Sequence, residues 1–363
     1  MLRCKFMEKK NISYHEKKYI DNNIRLRNIL AELPPYVQDF CRGRQTTLSM
    51  QTQIAYCYDL KIFFQFLTTA NPTLKNSPLC DISLDVMENL RPTDIEEFQN
   101  YLKVYESQNT GEAMTNGEIG ISRKISALRS LFDYLYKHEM VKNNPTRIVD
   151  VPKIHEKAII QLDPDEIAMI LDSMEEFSDN LTPHQKGYYL KTKTRDIAII
   201  TLFLGTGLRV SECVGLDISD VNFKNSGLRV IRKGGNEKIV YFGEEVEIAL
   251  LNYLEERENM ETKPGHENAL FLSLQGTRLS VRATEKMVKK YTQPIITNKR
   301  ITPHKLRSTY GTALYEETGD IYLVADVLGH KSVSTTQKHY AKLKDSRRRA
   351  AASAVRLREK ESE

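Results

Sequence analysis

Residues 302–340 read TPHKLRSTYGTALYEETGDIYLVADVLGHKSVSTTQKHY, and this stretch predicts two consecutive helices. The threonine and proline at its start suit a helix N-cap and the first helical position, so a helix should begin beside His304 and Arg307. The positive end of that helix is then available to an anion. The apolar run that follows ends at Gly329, and glycine is typical of a helix C-cap.

The same stretch concentrates groups that suit phosphodiester chemistry. It supplies two imidazoles, a guanidinium and a phenol, from His304, His330, Arg307 and Tyr340. No metal-ligand spacing and no glycine-rich phosphate loop accompanies them, which favours attack on a phosphodiester without a metal ion. A phenol has a reference pKa of about 10, so Tyr340 needs a base and positive surroundings to act as a nucleophile. A purely structural capping role for His330 stays open.

Two upstream motifs would complete such a site. Arg209 follows a Gly-Thr-Gly turn, and Glu212 comes three residues later, on the same face of a helix. The two form either an ordinary ion pair or a guanidinium held so that it forks onto two phosphate oxygens. Lys233 lies at the tip of a predicted β-hairpin, because β-prone runs flank a Gly-Gly-Asn sequence there. It is either a surface lysine or an acid that protonates a departing 5′ oxygen.

Helical periodicity dominates the first half of the chain. The apolar spacing predicts a helix from Thr47 to the Asn-Pro at 71–72 and a second from a capping box of Thr93 and Glu96. A third helix should begin near Ser122.

The third predicted helix places basic side chains opposite its apolar stripe. These are Arg123, Lys124 and Arg129. From the residues alone, these charges are most simply a solvated helix face.

The second half of the chain predicts helices mixed with a small sheet. Polar residues 175–194 predict a long loop or an inserted hairpin of helices before an apolar run at 197–204. Two prolines and mixed charges predict a linker before this half. The predicted segments are an N-terminal extension (1–33), a helical domain (34–150), the linker (151–163), a second domain (164–345) and a C-terminal tail (346–363).

Composition excludes several classes of protein. The 363 residues, of which 28% are charged and 40% hydrophobic, are typical of a globular chain and allow two domains. The net charge of +5 permits a nucleic-acid partner without requiring one. Five cysteines without C-x-x-C spacing indicate reduced thiols rather than disulfides or zinc. With no signal peptide and no membrane span in the pattern, we expect a cytoplasmic protein.

Taken together, the motifs resemble the tyrosine recombinase (phage integrase) family, most closely its single-recombinase Xer (XerS-like) type. The resemblance covers roughly residues 35–345 and rests on GTGLRVSE (205–212), RKGGN (232–236), HKLR (304–307), LGH (328–330) and the tyrosine at 340. It implies a mainly α fold, with a helical core-binding (SAM-like) DNA-binding domain and a mixed α+β catalytic domain that contains a small antiparallel sheet.

The resemblance also implies a role for each site residue. Tyr340 would attack the scissile phosphate and form a 3′-phosphotyrosyl intermediate, with Lys233 as general acid and His304 as general base. Phosphate would be held by Arg209, Arg307 and His330, while Glu212 braces the first of these. Neither a metal nor another cofactor is implied.

The partners implied by the resemblance are double-stranded DNA and further copies of the chain. A homotetramer would work on two duplexes through a Holliday junction, the tail would dock on a neighbouring protomer, and the 123, 124 and 129 side chains would contact DNA. A cell-division regulator is a candidate further partner.

Three functions follow from this interpretation. The first is resolution of chromosome dimers for partition at cell division, and the second is integration or excision of a mobile element by the same chemistry. A non-catalytic DNA-binding accessory factor is the third, and the complete catalytic set argues against it.

Overall fold

The computed structural model describes residues 12–75, 77–106, 111–155, 160–176, 182–232, 235–330 and 332–333. The chain divides into two compact units, Met1–Lys157 and Ala158–Glu363. The fold is mainly helical with small antiparallel sheets, which confirms the predicted fold class. Within the described ranges, no helix combines the length and the apolar character that a membrane span requires.

The first unit consists of helices and one small sheet. Its helices are α1 (Tyr14–Leu30), α2 (Pro35–Gly43), α3 (Met50–Ala70), α4 (Leu84–Glu88), α5 (Pro92–Lys103) and α6 (Glu118–Lys137). Strands β1 (Val104–Glu106) and β2 (Ala113–Thr115) pair antiparallel between α5 and α6.

Aromatic and aliphatic side chains fill the core of this unit. Phe63 of α3 and Phe98 of α5 are fully buried and meet edge to face, with ring centroids 5.0 Å apart. Leu26, Ile29 and Leu33 belong to the same core. The segment that the sequence places in an N-terminal extension is therefore packed against α3 over the residues described, because its leucine and isoleucine side chains face that helix.

Two predicted helix starts in this unit were wrong. The capping box predicted at Thr93 does not form, because α5 already begins at Pro92 and Asp94 accepts a hydrogen bond from the Arg91 backbone N–H at 2.7 Å. Proline suits the first helical position since it has no N–H to leave unsatisfied. Helix α6 begins at Glu118, a turn before the predicted Ser122.

The second unit surrounds a three-stranded antiparallel sheet with helices. The sheet has the order β3 (Val221–Asn222), β4 (Gly227–Ile231) and β5 (Glu237–Tyr241). The helices are α7 (Pro164–Glu175), α8 (Pro183–Thr206), α9 (Val210–Cys213), α10 (Glu244–Glu258), α11 (Val281–Thr292), α12 (Pro303–Thr318) and α13 (Ile321–Leu328).

Helix α8 corrects the predicted loop or helical hairpin at 175–194. Thr182 caps its start, and the polar sequence that follows continues without interruption into the apolar run at 197–204. The polar half is a helix because Tyr189, Thr192 and Arg195 turn inward at helical spacing and are buried, while Leu190 and Lys191 face solvent. The apolar half lies in the core and ends at Gly207, which adopts φ +63°.

Candidate active site

The turn after α8 holds Arg209 in place through Glu212. Arg209 precedes α9, and its backbone N–H donates to Glu212 Oε2 at 2.8 Å. Its guanidinium Nη1 donates to Glu212 Oε1 at 2.7 Å. The Glu212 carboxylate is buried, whereas the arginine side chain is about one-third exposed. The i,i+3 pair of the sequence is therefore a braced guanidinium with part of its surface open.

Arg307 lies beside this pair although it comes from a distant helix. It is on the second turn of α12 and only 4% exposed. Its Nη1 donates to the carbonyl of Gly207, its Nη2 donates to the carbonyl of Leu328, and its Nη1 lies 4.0 Å from Glu212 Oε2. One buried carboxylate therefore lies between two guanidiniums.

The end of α13 completes the described part of the site. Gly329 adopts φ +62° and closes the helix, and the His330 backbone N–H donates to the Ala325 carbonyl at 2.9 Å. Arg209 Nη2 donates to the Gly329 carbonyl at 3.1 Å. The C-terminal carbonyls of a helix carry partial negative charge, which explains why guanidiniums gather there.

A third guanidinium, for which the sequence predicts no role, reaches the same helix end. Arg232 directly follows β4, and its Nη2 and Nη1 donate to the carbonyls of Val327 and Asp326 at 2.6 and 3.3 Å. Burial lowers the pKa of Arg232, with the neighbouring Arg209 acting in the same direction. Its position directly before Lys233 could have marked it as a site residue. The sequence could not show that it binds α13, because the two segments are 94 and 95 residues apart.

The structure brings several of the predicted site residues to one place. Arg209, Arg307 and the residue before His330 are linked by hydrogen bonds at the ends of α8, α12 and α13. His304 lies on the first turn of α12, exposed, with the predicted proline start beside it. Lys233 and Tyr340 lie outside the described residues.

The basic residues of α6 do not share one exposed face, which corrects the predicted arrangement. Lys124 is 6% exposed and donates to Asn116 Oδ1 at 2.7 Å. Arg129 donates to the carbonyls of Thr146 and Val149. Arg123 is half exposed and forms an ion pair with the buried Asp59. All three therefore have partners inside the first unit, and a DNA contact by any of them stays a prediction.

The charge balance of the site favours an anion. Two guanidiniums flank the buried Glu212 carboxylate and a third, that of Arg232, binds the same helix end, so positive charge is in excess, and Arg209 keeps an open edge. Among the residues described, no group of three His, Cys, Asp or Glu side chains has the arrangement of a metal site. Fixed guanidinium donors at a partly closed position can bind phosphate oxygens and stabilise the charge that develops on them.

Known proteins share both the sequence and the fold of this chain. Residues 161–347 match the phage integrase family. The tyrosine recombinase XerS of Streptococcus uberis is 33% identical over 345 residues, which cover 88% of this chain and 95% of that protein. The tyrosine recombinase XerC of Caldanaerobacter subterraneus subsp. tengcongensis is 33% identical over 329 residues, which cover 88% of this chain and 86% of that protein.

Two solved structures share the fold at lower identity. The XerH site-specific recombinase, in a post-cleavage complex with a palindromic difH substrate, has a TM-score of 0.63 at 20% identity and covers 92% of this chain and 88% of its own. The Tn1549 transposon integrase with circular intermediate DNA has a TM-score of 0.61 at 20% identity, and the match covers 85% of this chain and 95% of that chain.

The family match, the relatives and the braced arginine pair lead to one conclusion. The chain belongs to the phage integrase family of tyrosine recombinases, metal-independent enzymes that exchange DNA strands through a tyrosine nucleophile.

Proposed function

We propose that this recombinase cuts and rejoins a specific DNA site with Arg209, Lys233, His304, Arg307, His330 and Tyr340, and that it resolves chromosome dimers at cell division. The observation that carries the proposal is the pair of guanidiniums, Arg209 and Arg307, on either side of the buried Glu212 carboxylate. Such a pair presents N–H donors in a fixed fork that matches the oxygens of a phosphodiester.

In the proposed reaction the Tyr340 oxygen attacks phosphorus as the bond from phosphorus to the 5′ oxygen breaks. His304 accepts the phenol proton, and Lys233 donates a proton to the departing 5′ oxygen. The strand ends as a 3′-phosphotyrosyl ester and a free 5′ hydroxyl. A 5′ hydroxyl from the partner duplex then attacks the ester and releases the tyrosine, so no energy source outside the phosphodiester is needed.

The two arginines have a different task from the proton-transfer groups. They bind the non-bridging oxygens, whose negative charge rises in the transition state, and His330 adds a further donor. Burial of Arg307 and its fixed carbonyl partners keep this arrangement in place before DNA arrives. A preorganised donor set of this kind loses little free energy to reorganisation during the reaction.

Domain roles follow from the same proposal. Residues 34–150 form the core-binding domain, 151–163 the linker, 164–345 the catalytic domain and 346–363 the tail that docks on a neighbouring protomer. Four protomers act on two duplexes, in the cytoplasm. Exposed basic side chains of α11 support a DNA partner for the catalytic unit, since phosphate contacts are made mainly by such groups. They are Arg282, Lys286, Lys289 and Lys290.

The second candidate is integration or excision of a mobile element. Its support is the fold shared with the Tn1549 transposon integrase, whereas the names XerS and XerC at 33% identity favour the chromosomal role. A recombination site at the replication terminus and dependence on a cell-division regulator would favour dimer resolution. An excisionase gene next to this one would favour the mobile element.

A nicked suicide duplex tests the shared chemistry, because the free 5′ end diffuses away and the covalent adduct accumulates. The duplex carries the site found beside the gene or at the terminus. We expect the wild-type chain to form the adduct and Tyr340→Phe to bind the duplex normally without forming any. An adduct in the variant would disprove the nucleophile assignment. No adduct with the wild-type chain would favour the accessory factor.

A further inference from the structure

We infer that Arg232 is a positioning residue, which fixes the last turn of α13 and thereby the phosphate-binding arginines and His330. This inference rests on the roles proposed above for Arg209, Arg307 and His330. It concerns a residue at the root of the β-hairpin, 94 and 95 residues away in sequence from the carbonyls that it binds.

The hairpin itself holds the Arg232 backbone. The Arg232 N–H donates to the Asn236 carbonyl at 2.8 Å, and the Arg232 carbonyl accepts from the Gly235 N–H at 3.0 Å. From this fixed point the side chain crosses to α13 and donates to the carbonyls of Asp326 and Val327. The next two carbonyls, those of Leu328 and Gly329, accept from Arg307 and Arg209. Successive carbonyls of one turn are thus shared among three guanidiniums.

Gly329 shows how closely the Arg232 guanidinium packs. A Cβ at this position would lie 1.8 Å from Arg232 Nη1, and the residue also has φ +62°. The backbone conformation favours glycine, and a side chain here would displace the Arg232 guanidinium. The guanidinium occupies the place where a side chain would be, directly before His330.

Helix α13 depends on such ties because its apolar anchoring is small. Val324 and Leu328 pack with Tyr315 in a cluster separate from the main core of the unit. Lys238 of β5 adds an ion pair with Asp326, but that carboxylate is largely exposed and the pair is weak by comparison. Arg232 is half buried, and its two hydrogen bonds carry a charge, which makes each about twice as strong as a neutral one.

A direct phosphate contact by Arg232 is the alternative to a positioning role. Both of its terminal nitrogens already donate to carbonyls. Its Nε is buried and has no hydrogen-bond partner within the part of the chain that the structure describes. Each terminal nitrogen keeps a second N–H, as in Arg307, so a parallel measurement of DNA affinity distinguishes the two roles. The carbonyl bonds of Arg232 hold the end of α13, and the next two carbonyls there bind Arg307 and Arg209.

The test uses single-turnover cleavage of the suicide duplex by the full chain, with DNA affinity and thermal unfolding measured in parallel. We expect Arg232→Met to slow adduct formation roughly tenfold to a hundredfold, as loss of two charged hydrogen bonds implies. Affinity should change by less than about threefold, since other groups hold the DNA. Arg232→Lys should recover part of the rate, because an ammonium reaches one carbonyl but does not fork onto two. Arg229→Met is the matched control, since it removes an arginine of the same hairpin that pairs with Asp220 and not with α13.

A double variant separates positioning from general weakening. If Arg232 acts through α13, the rate lost in the chain that carries both Arg232→Met and His330→Ala should be smaller than the product of the two single losses, because coupled residues are not additive. Full additivity would overturn the inference, as would an unchanged rate in Arg232→Met or an equal loss in the Arg229→Met control. A loss of affinity that equals the loss of rate would identify Arg232 as a DNA ligand instead. If the wild-type chain fails to cleave, the proposed function fails and the inference fails with it. If the wild-type chain cleaves and the Arg232 variants cleave at the same rate, the inference alone fails.

Discussion

Glu212 holds Arg209 at two points, accepting from its backbone N–H at 2.8 Å and from its guanidinium at 2.7 Å. The same carboxylate lies 4.0 Å from Arg307. It therefore fixes one arginine directly and offsets the repulsion between both, although it need not touch DNA. Such a group is expected to influence cleavage through geometry and charge.

Glu212→Gln should slow cleavage roughly tenfold while the protein stays folded, because the amide keeps one acceptor but leaves two close guanidiniums without a counter-charge. Glu212→Ala should in addition lower the free energy of unfolding by about 2 kcal/mol, since buried donors lose their partner. Suicide-duplex cleavage and urea unfolding measure the two effects. Glu237→Gln is the control, because Glu237 is exposed and its partner Arg229 is 3.8 Å away. Equal rates for the two glutamine variants would contradict the bracing role.

Gly207→Ala should destabilise the second unit and cut activity. Gly207 has φ +63°, and an added Cβ would lie 2.5 Å from Tyr310 Cδ1 and 2.9 Å from Leu328 Cδ2. Backbone strain and overpacking together predict a loss of about 3 kcal/mol in unfolding free energy. Gly235→Ala is the matched control, because Gly235 also has a positive φ, of +82°, but an added Cβ would have no atom within 4 Å. Only the backbone strain of about 1 kcal/mol should therefore lower its unfolding free energy. Thermal unfolding would show the difference, and similar losses in both variants would refute the packing argument.

Lys233→Ala should cleave normal DNA at a rate roughly a hundredfold or more below that of wild type, because general acid catalysis typically contributes that much. A duplex with a 5′ thiolate leaving group needs no proton at the departing atom, so the variant should cleave it at nearly the wild-type rate. Lys224→Ala, at an exposed lysine before β4, should behave as wild type on both duplexes. Failure of the thiolate duplex to restore cleavage would count against the general-acid role.

The ion pair between Glu166 and Lys299 should make the second unit acid-sensitive. Burial alone would raise the pKa of Glu166, but hydrogen bonds from Lys299 Nζ at 2.7 Å and from the Asp163 backbone N–H at 2.9 Å outweigh it and lower that pKa. A carboxyl whose pKa is lowered by folding contributes stability above its unfolded pKa of about 4.3 and loses it as the pH falls through the folded value.

Lys299→Met should therefore lower the unfolding free energy by about 1 kcal/mol at pH 7, since the pair is only partly shielded from solvent. The difference from wild type should shrink as the pH falls below the unfolded pKa of about 4.3, and it should vanish once the pH is below the lowered folded pKa of Glu166, where the carboxyl is protonated in both chains. Urea midpoints across that range measure the effect, and Glu166→Gln should remove the pH dependence of the difference. If the difference in unfolding free energy between Lys299→Met and wild type stays constant from neutral to acid pH, the ion pair is not the source of that difference.

Much of the site was predictable because its residues belong to short local patterns. The Gly-Thr-Gly turn before Arg209, the proline start of α12 beside His304 and the glycine end of α13 before His330 depend on neighbours within one helical turn. Helix capping and backbone conformation act at that range, so sequence spacing is enough to predict them. The β-hairpin and the mainly helical fold class were predictable for the same reason.

Tertiary structure decided which of these groups meet. Arg209 binds a carbonyl 120 residues away, Arg307 binds one 100 residues away, and Arg232 binds two at the end of α13. Packing also turned Lys124 inward and made the polar sequence before Arg195 part of a single helix, whereas the sequence indicated an exposed face and a loop or hairpin. Local spacing specifies contacts along one element, but burial and pairing between elements depend on how their faces pack together. The sequence by itself therefore determined the chemical groups of this recombinase, and only the packing of α8, α12, α13 and the hairpin decided that three guanidiniums share one helix end.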